Sequence, residues 1–177
     1  KYCNSQGIVP LREEIASEIK RTRGVDVSPD RILVGSGAKP LIFFAILALL
    51  DEGDEAIYPA PLFPVFQSAI GFSGATAVPL RLREELDFRF DLEELRALIT
   101  PRTRLIVLVS PHNPTGGVLT PEDVAGVAEL ANEHDIAVLS DEIYDHMYYG
   151  KPPASIMCHE GMEDRGLLVT GFSKTYA

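Results

Sequence analysis

The chain is poor in cysteine, with 2 in 177 residues, and these two, Cys3 and Cys158, form neither a C-x-x-C pair nor a framework. A disulfide-stapled secreted scaffold is excluded, and a reducing compartment, the cytoplasm by default, is the expectation. Basic residues are scarce as well: 16 Lys and Arg face 26 Asp and Glu, a formal net charge of -10. A field of that sign repels phosphate backbones and anionic headgroups, so neither nucleic acid nor a membrane surface is an expected partner. No long apolar run is present. The longest, Leu41 to Leu50 (LIFFAILALL), is half of the ~20 residues that span a bilayer, and reads as a buried helix. No secretory leader is read at the start. Without a Ser/Gly linker, an internal repeat or a low-complexity tract, one domain is expected. The four histidines, His112, His134, His146 and His159, have no ligand spacing with one another or with the cysteines, which argues against a metal site. A serine hydrolase elbow, G-x-S-x-G, is missing too.

What is present is ordinary globular material, 46% hydrophobic and 24% charged. Helices and strands alternate. Leu11, Ile15 and Ile19 repeat every fourth residue after Pro10, and Gly24 closes that helix. A first strand is expected at 31–35 (RILVG), then a helix over 38–50. A second strand at 55–58 and a helix over 62–71 follow, then a third strand at 75–80. The acidic stretch 84–87 is loop-like, and Asp91 is placed to cap a helix over 92–99. Leu105 to Val109 (LIVLV) is apolar without interruption, as in a strand covered on both faces. Thr120-Pro121-Glu122 starts a helix running to about His134, and strands at 136–139 and 167–170 complete the set. Such a pattern predicts an α/β fold, a three-layer α-β-α arrangement around a largely parallel sheet. The chain opens at Lys1 without a methionine and stops within GFSKTYA, so it reads as a piece of a longer protein or as its ordered part.

In such sheets ligands bind beyond the carboxyl ends of the strands, and the polar turns fall there. VGSGAKP (34–40) has proline where a dinucleotide fingerprint needs its third glycine, and lacks the spacing of a Walker loop. What remains is a glycine turn feeding a helix N-terminus, suited to an anion such as phosphate, or simply a tight connection. SPHNPTGG (110–117) is denser in turn formers than a connection requires and presents the Asn113 amide; otherwise Asn113 caps its own turn. SDEIY (140–144) puts a carboxylate directly after an apolar strand, where a buried acid demands a positive or hydrogen-bonding partner. The plainer alternative makes Asp141 a helix cap and leaves Glu142 solvated. GFSKTY (171–176) places Lys174 in a turn at a strand's carboxyl end, a position from which an amine can form a Schiff base.

Together these segments resemble the large cofactor domain of the class I/II aminotransferases, the fold-type I pyridoxal-phosphate enzymes. The resemblance runs from Tyr2 to Ala177. It rests on Tyr2 with Gly7 and Pro10-Leu11-Arg12, on Gly37-Ala38-Lys39, on ALLDEGDE and YPAPLFPVF, on NPTG, on SDEIY and on GFSKTYA. Each motif is modest, but their shared order and spacing are specific. The resemblance implies that the chain is a partial large pyridoxal 5'-phosphate-binding domain, 1–177, without the amino-terminal substrate-binding segment and the carboxyl-terminal small domain. Lys174 would hold the cofactor as an internal aldimine and shuttle the proton between Cα and C4′. Asp141 would face the pyridine nitrogen and keep it protonated. Asn113 and Tyr144 would hydrogen-bond the ring's 3′-oxygen, and Phe63 would stack on the ring. Gly37, Ala38 and Lys39 would form the phosphate turn, and Tyr2 would reach the phosphate of a neighbouring subunit, implying a homodimer. Gly171 stands where many relatives carry a phosphate-binding serine, a role that passes to Ser173 or Thr170. The family's phosphate-binding and carboxylate-binding arginines lie outside the 177 residues.

The implied activity is transfer of an amino group between an amino acid and a 2-oxo acid by a ping-pong mechanism. A lyase on the same scaffold, such as a β-C–S lyase, is the alternative, and a cofactor-binding regulator domain is another. The piece alone, without its small domain, is expected to be inactive.

Overall fold

The computed structural model describes residues 4–176. Five short segments form one sheet: β1 (Glu55–Ala60), β2 (Thr76–Arg81), β3 (Thr103–Val109), β4 (Ala137–Asp141) and β5 (Gly166–Val169). Their order is β2-β1-β3-β4-β5, and every pairing is parallel. Parallel neighbours need crossovers, and helices supply them: α3 (Val65–Phe72) between β1 and β2, α4 (Leu92–Leu98) between β2 and β3, and α5 (Pro121–His134) between β3 and β4. Ahead of the sheet lie α1 (Val9–Arg23) and α2 (Ala38–Leu49); α6 (Met162–Arg165) and α7 (Phe172–Thr175) flank β5.

Side-chain alternation along the strands splits the core into two layers. Ile57, Ile106, Leu108 and Val138 face one side, under Leu95 of α4 and Val124, Val127 and Ala131 of α5. Ala56, Tyr58, Leu105, Val107, Val109 and Leu139 face the other, against Ile42 and Ile46 of α2 and Phe66, Ala69 and Ile70 of α3. The expected three-layer α/β architecture is therefore what folds. Burying each of these aliphatic side chains contributes roughly 1.5–3 kcal/mol, so the central strands β1, β3 and β4 anchor whatever sits at their ends.

Local signals end the helices where the sequence places them. Gly24, at φ 71°, stops α1 and donates its N–H to the Lys20 carbonyl. The Asp91 carboxylate accepts from Glu93 and Glu94 at the start of α4. Thr120 and Asp123 close a reciprocal capping box on α5.

Two expectations change. The segment 31–35 is not a strand. Arg31 closes a short 3-10 turn (Pro29–Arg31), and Val34 spends its N–H on the Gln6 carbonyl at 2.9 Å instead of a sheet neighbour. Ile32 is buried but Leu33 is exposed, so the apolar run is half real and the sheet has five strands, not six. The run 41–50 is also not enclosed. Ile42, Ile46 and Leu50 are buried, whereas Phe44 is 60% exposed and Leu47 37%. Covered on its sheet-facing side only, α2 turns Phe43 against Phe72 with ring centroids 5.4 Å apart. No helix of the described residues is long and apolar enough to cross a membrane.

Candidate active site at the carboxyl edge of the sheet

Parallel strands point their carboxyl ends the same way, and the polar turns collect along that one edge. β1 runs out into Pro61 to Pro64, carrying half-buried Phe63. The helix α2 begins at Gly37, whose φ of 108° favours glycine and whose cap position has no side-chain hydrogen bond. Its first N–H groups are thus left to an outside acceptor. Lys39, in the first turn, holds its Nζ 5.0 Å from the Phe63 ring centroid.

β3 continues into the SPHNPTGG turn. His112 is buried, its Nδ1 lies 2.8 Å from the Thr115 hydroxyl, and its backbone exchanges bonds with Gly116 and Gly117. Burial lowers the His112 pKa, with the Pro61 carbonyl opposing, so the ring is neutral and works as a strut. Gly117 is required by close approach: a Cβ there would meet the Asp87 and Phe88 carbonyl oxygens at 2.9 Å. Fixed in this way, the turn offers Asn113, whose Nδ2 is 3.5 Å from the Tyr144 hydroxyl.

β4 ends on Asp141. Its side chain is buried, and its Oδ1 accepts one backbone N–H, from Ile143 at 3.1 Å. Burial raises its pKa to about 6, with the Ile143 N–H opposing and the Glu142 charge adding to the rise. Among the described residues no cation forms a salt bridge with it. The capping alternative is therefore half true: the carboxylate does hold a turn, yet it is left short of a positive partner. Glu142, solvated in that same alternative, is instead deeply buried. Its Oε2 meets Arg23 at 3.0 and 3.1 Å, and its Oε1 accepts from Ser140 and Ser155 at 3.1 and 2.8 Å. Apolar packing of Ile143 and the closure of the turn pull residue 142 inward, away from solvent.

β5 leads through Gly171 into the single turn α7. Lys174 projects from it, exposed, with Nζ 5.8 Å from the Tyr144 ring centroid. Ser173 is exposed beside it. A Cβ on Gly171 would lie 3.0 Å from the Ile143 Cδ1, so the missing serine would press on the turn that carries Asp141. The structure thus draws the expected residues into two groups: Lys39 with Phe63, and Tyr144 with Lys174 on its ring and Asn113 at its hydroxyl. No side-chain hydrogen bond among the described residues joins Gly37, Ala38, Asp141 or Ser173 to either group; they are held along the same edge by the backbone alone. Tyr2 lies outside the described residues. Sequence reasoning missed Arg23 and the structural use of Glu142, Asp145 and His112. For Arg23, 119 residues from Glu142, no local signal existed.

Residues 1–177 match the family described as aminotransferase class I and II. The chain belongs to the class I and II aminotransferase family. It is 36% identical to aromatic-amino-acid aminotransferase 2 of Thermococcus litoralis, over 99% of this chain and 46% of that protein. It is 39% identical to a probable aspartate aminotransferase of Methanocaldococcus jannaschii, again over 99% of this chain and 46% of the relative. Among solved structures, an aromatic aminotransferase from Pyrococcus horikoshii superposes with a TM-score of 0.95 at 36% identity, covering 99% of this chain and 48% of that one. The chain spans just under half the length of these relatives.

Proposed function

We propose that the protein to which this chain belongs is a pyridoxal-phosphate-dependent aminotransferase, and that residues 1–177 are part of its large cofactor-binding domain. One observation carries the reading: a buried carboxylate, Asp141, stands at the ligand edge of a parallel sheet without a cation among the described residues, and the family's cofactor brings a pyridine nitrogen that a carboxylate can keep protonated. The donor set fits the rest of that cofactor. Free N–H groups at the start of α2, with Lys39, suit the phosphate; Phe63, next to Lys39, suits the ring face. Asn113 and Tyr144 present a donor and a hydroxyl for the ring oxygen. Ser173 is the near hydroxyl in place of a serine at 171, and Tyr2 is assigned to the phosphate site of a second subunit, which makes the working form a homodimer.

When bound, pyridoxal phosphate supplies an aldehyde for a primary amine and a ring that draws off the electron pair left at the substrate's Cα. The protein's part is binding, orientation and proton transfer. Lys174 Nζ is the amine that would hold the cofactor and, when free, the base that would take the proton from the substrate's Cα and return it to the cofactor–substrate pair. Asp141 holds the proton on the ring nitrogen, which keeps the ring positive and electron-withdrawing. Tyr144, within reach of both Lys174 and Asn113, sets the ring oxygen's hydrogen bonding and limits where the lysine can swing. The scarce cysteines suit a reducing compartment, and the reading places the enzyme in the cytoplasm.

The test uses the full-length protein loaded with cofactor and given an amino acid without a 2-oxo acid acceptor. Transamination releases one equivalent of 2-oxo acid per site and stops until an acceptor is added. Continuous release of 2-oxo acid and ammonia assigns the lyase alternative, and cofactor binding without conversion of any amino acid assigns the regulator alternative.

A further inference from the structure

Directly behind the candidate site lies a buried charge cluster that the proposed chemistry does not use. Arg23, the last residue of α1, reaches across to the turn that follows β4. Its guanidinium donates from Nε and Nη2 to Glu142 Oε2, at 3.1 and 3.0 Å, and from Nη2 to Asp145 Oδ2 at 2.6 Å. The three side chains are 9%, 4% and 14% exposed. Ser140 and Ser155 satisfy the other Glu142 oxygen. Asp145 Oδ1 is buried without a hydrogen-bond partner, and the His146 ring stands 3.8 Å from it. Surface ion pairs hold little, but a buried guanidinium shared by two carboxylates is different in kind. Without Arg23, two anions would be left out of water, next in sequence to Asp141.

Each of the two carboxylates directly follows a residue assigned to the cofactor. Glu142 follows Asp141 and Asp145 follows Tyr144. Between them the backbone is pinned by Glu142 N–H to the Val169 carbonyl at 2.8 Å, and by Asp145 N–H to the Glu142 carbonyl at 3.0 Å. Within this frame Asp141 is buried at the strand end, its Oδ1 accepting from the Ile143 N–H, and Tyr144 stands against Lys174. We propose that Arg23 is a positioning residue: by clamping Glu142 and Asp145 it holds the 141–145 turn so that Asp141 and Tyr144 face the cofactor, coupling the end of α1 to the site. The clamp rests on the reading of the site given above for its functional consequence, but not for its existence. Burial by itself would lower the Arg23 pKa, yet Glu142 and Asp145 raise it above the ordinary value, so the guanidinium stays charged; burial raises the Glu142 pKa, with Arg23 and the two serine hydroxyls opposing.

The test compares full-length wild type with Arg23→Met, Glu142→Gln and Arg23→Lys, by amide hydrogen exchange without cofactor and by pyridoxal phosphate affinity. Arg21→Met, whose ion pair with Glu18 is exposed, is the control. The clamp predicts that Arg23→Met speeds exchange of the Asp145 and Met147 amides by about tenfold or more while the β3 amides of Val107 and Leu108 keep their protection. It also predicts weaker cofactor binding in Arg23→Met and Glu142→Gln, and partial recovery in Arg23→Lys, which restores the charge but not the forked geometry. Unchanged exchange across 142–147, or a loss of protection equal in β3, overturns the proposal. If Arg23→Met simply fails to fold, Glu142→Gln carries the same comparison. Should wild type bind no cofactor, the reading of the site fails while the exchange data still decide the clamp.

Discussion

At the amino-terminal edge of the sheet, Glu55 is buried at the start of β1 and is satisfied within the chain: Arg102 pairs with Oε1, and the Thr100 hydroxyl donates to Oε2 at 2.6 Å. At the carboxyl edge, Asp141 is equally buried at the end of β4, yet among the described residues a single backbone N–H is its hydrogen-bond partner. No pressure of folding explains that difference, since an unpaired buried carboxylate destabilises and could be replaced by an apolar side chain. Glu142, one residue on, sharpens it: that acid has a guanidinium and two hydroxyls. Acids that hold the fold are paired from inside the chain. Asp141, without a cation among the described residues, is the acid that the proposed function has meet something from outside.

The largest expected effect is at Lys174. General acid–base transfer by one group is worth ~10²–10⁴-fold, and on the proposed function Lys174 also provides the attachment point, so Lys174→Ala in the full-length protein should lose more than about four decades of turnover. Equilibrium dialysis should still find cofactor bound. Next comes the contrast between the two acids. Asp141→Asn should slow turnover by about two to four decades, the rate equivalent of the ~3–5 kcal/mol lost when one partner of a buried charge pair is removed. Glu55→Gln should leave turnover within about twofold of wild type and lower the urea midpoint instead, by ~1–2 kcal/mol of stability. Equal rate losses in the two variants would erase the distinction between the edges.

A pH titration of the cofactor-free protein tests the same distinction through stability. Asp141 binds its proton more tightly when folded, with a pKa of about 6 against an ordinary 3.8. Its contribution to stability is therefore full below about pH 4 and is lost as pH rises through about 6, by ~3 kcal/mol at most. Denaturant midpoints should fall across that window in wild type and fall less in Asp141→Asn. A slope unchanged by the substitution would assign the titration to another group. Smaller again is Tyr144→Phe, which removes one hydroxyl and should weaken cofactor retention by ~1 kcal/mol, read as about a fivefold rise in Kd. Least of all is Gly171→Ala. The Ile143 tip must yield a few tenths of an ångström, the backbone there is extended, and the expected cost in thermal unfolding is under about 1 kcal/mol.

How far this was legible from residues alone depended on range. The strand LIVLV, the Asp91 and Thr120 caps and the Gly24 stop are signals written within a few residues, and each folds as read. The misread strand at 31–35 shows the limit: its apolar residues were visible, but whether a sheet neighbour exists for them is a long-range fact. LIFFAILALL failed in the same way, since hydrophobicity gives the wish for cover and not its supply. At the site, Asp141, Asn113 and Lys174 stood out because turn chemistry places them at strand ends, whereas Tyr144 came only from the family resemblance. The alternative of a solvated Glu142 had nothing local against it, because its partner, Arg23, comes from the other end of the chain.

The most direct test of the central claim is reductive trapping. Full-length protein loaded with pyridoxal phosphate is treated with sodium borohydride, digested and mapped by mass spectrometry. The account predicts the cofactor's mass on the peptide containing Lys174. A label on Lys39 or Lys151 instead would contradict it.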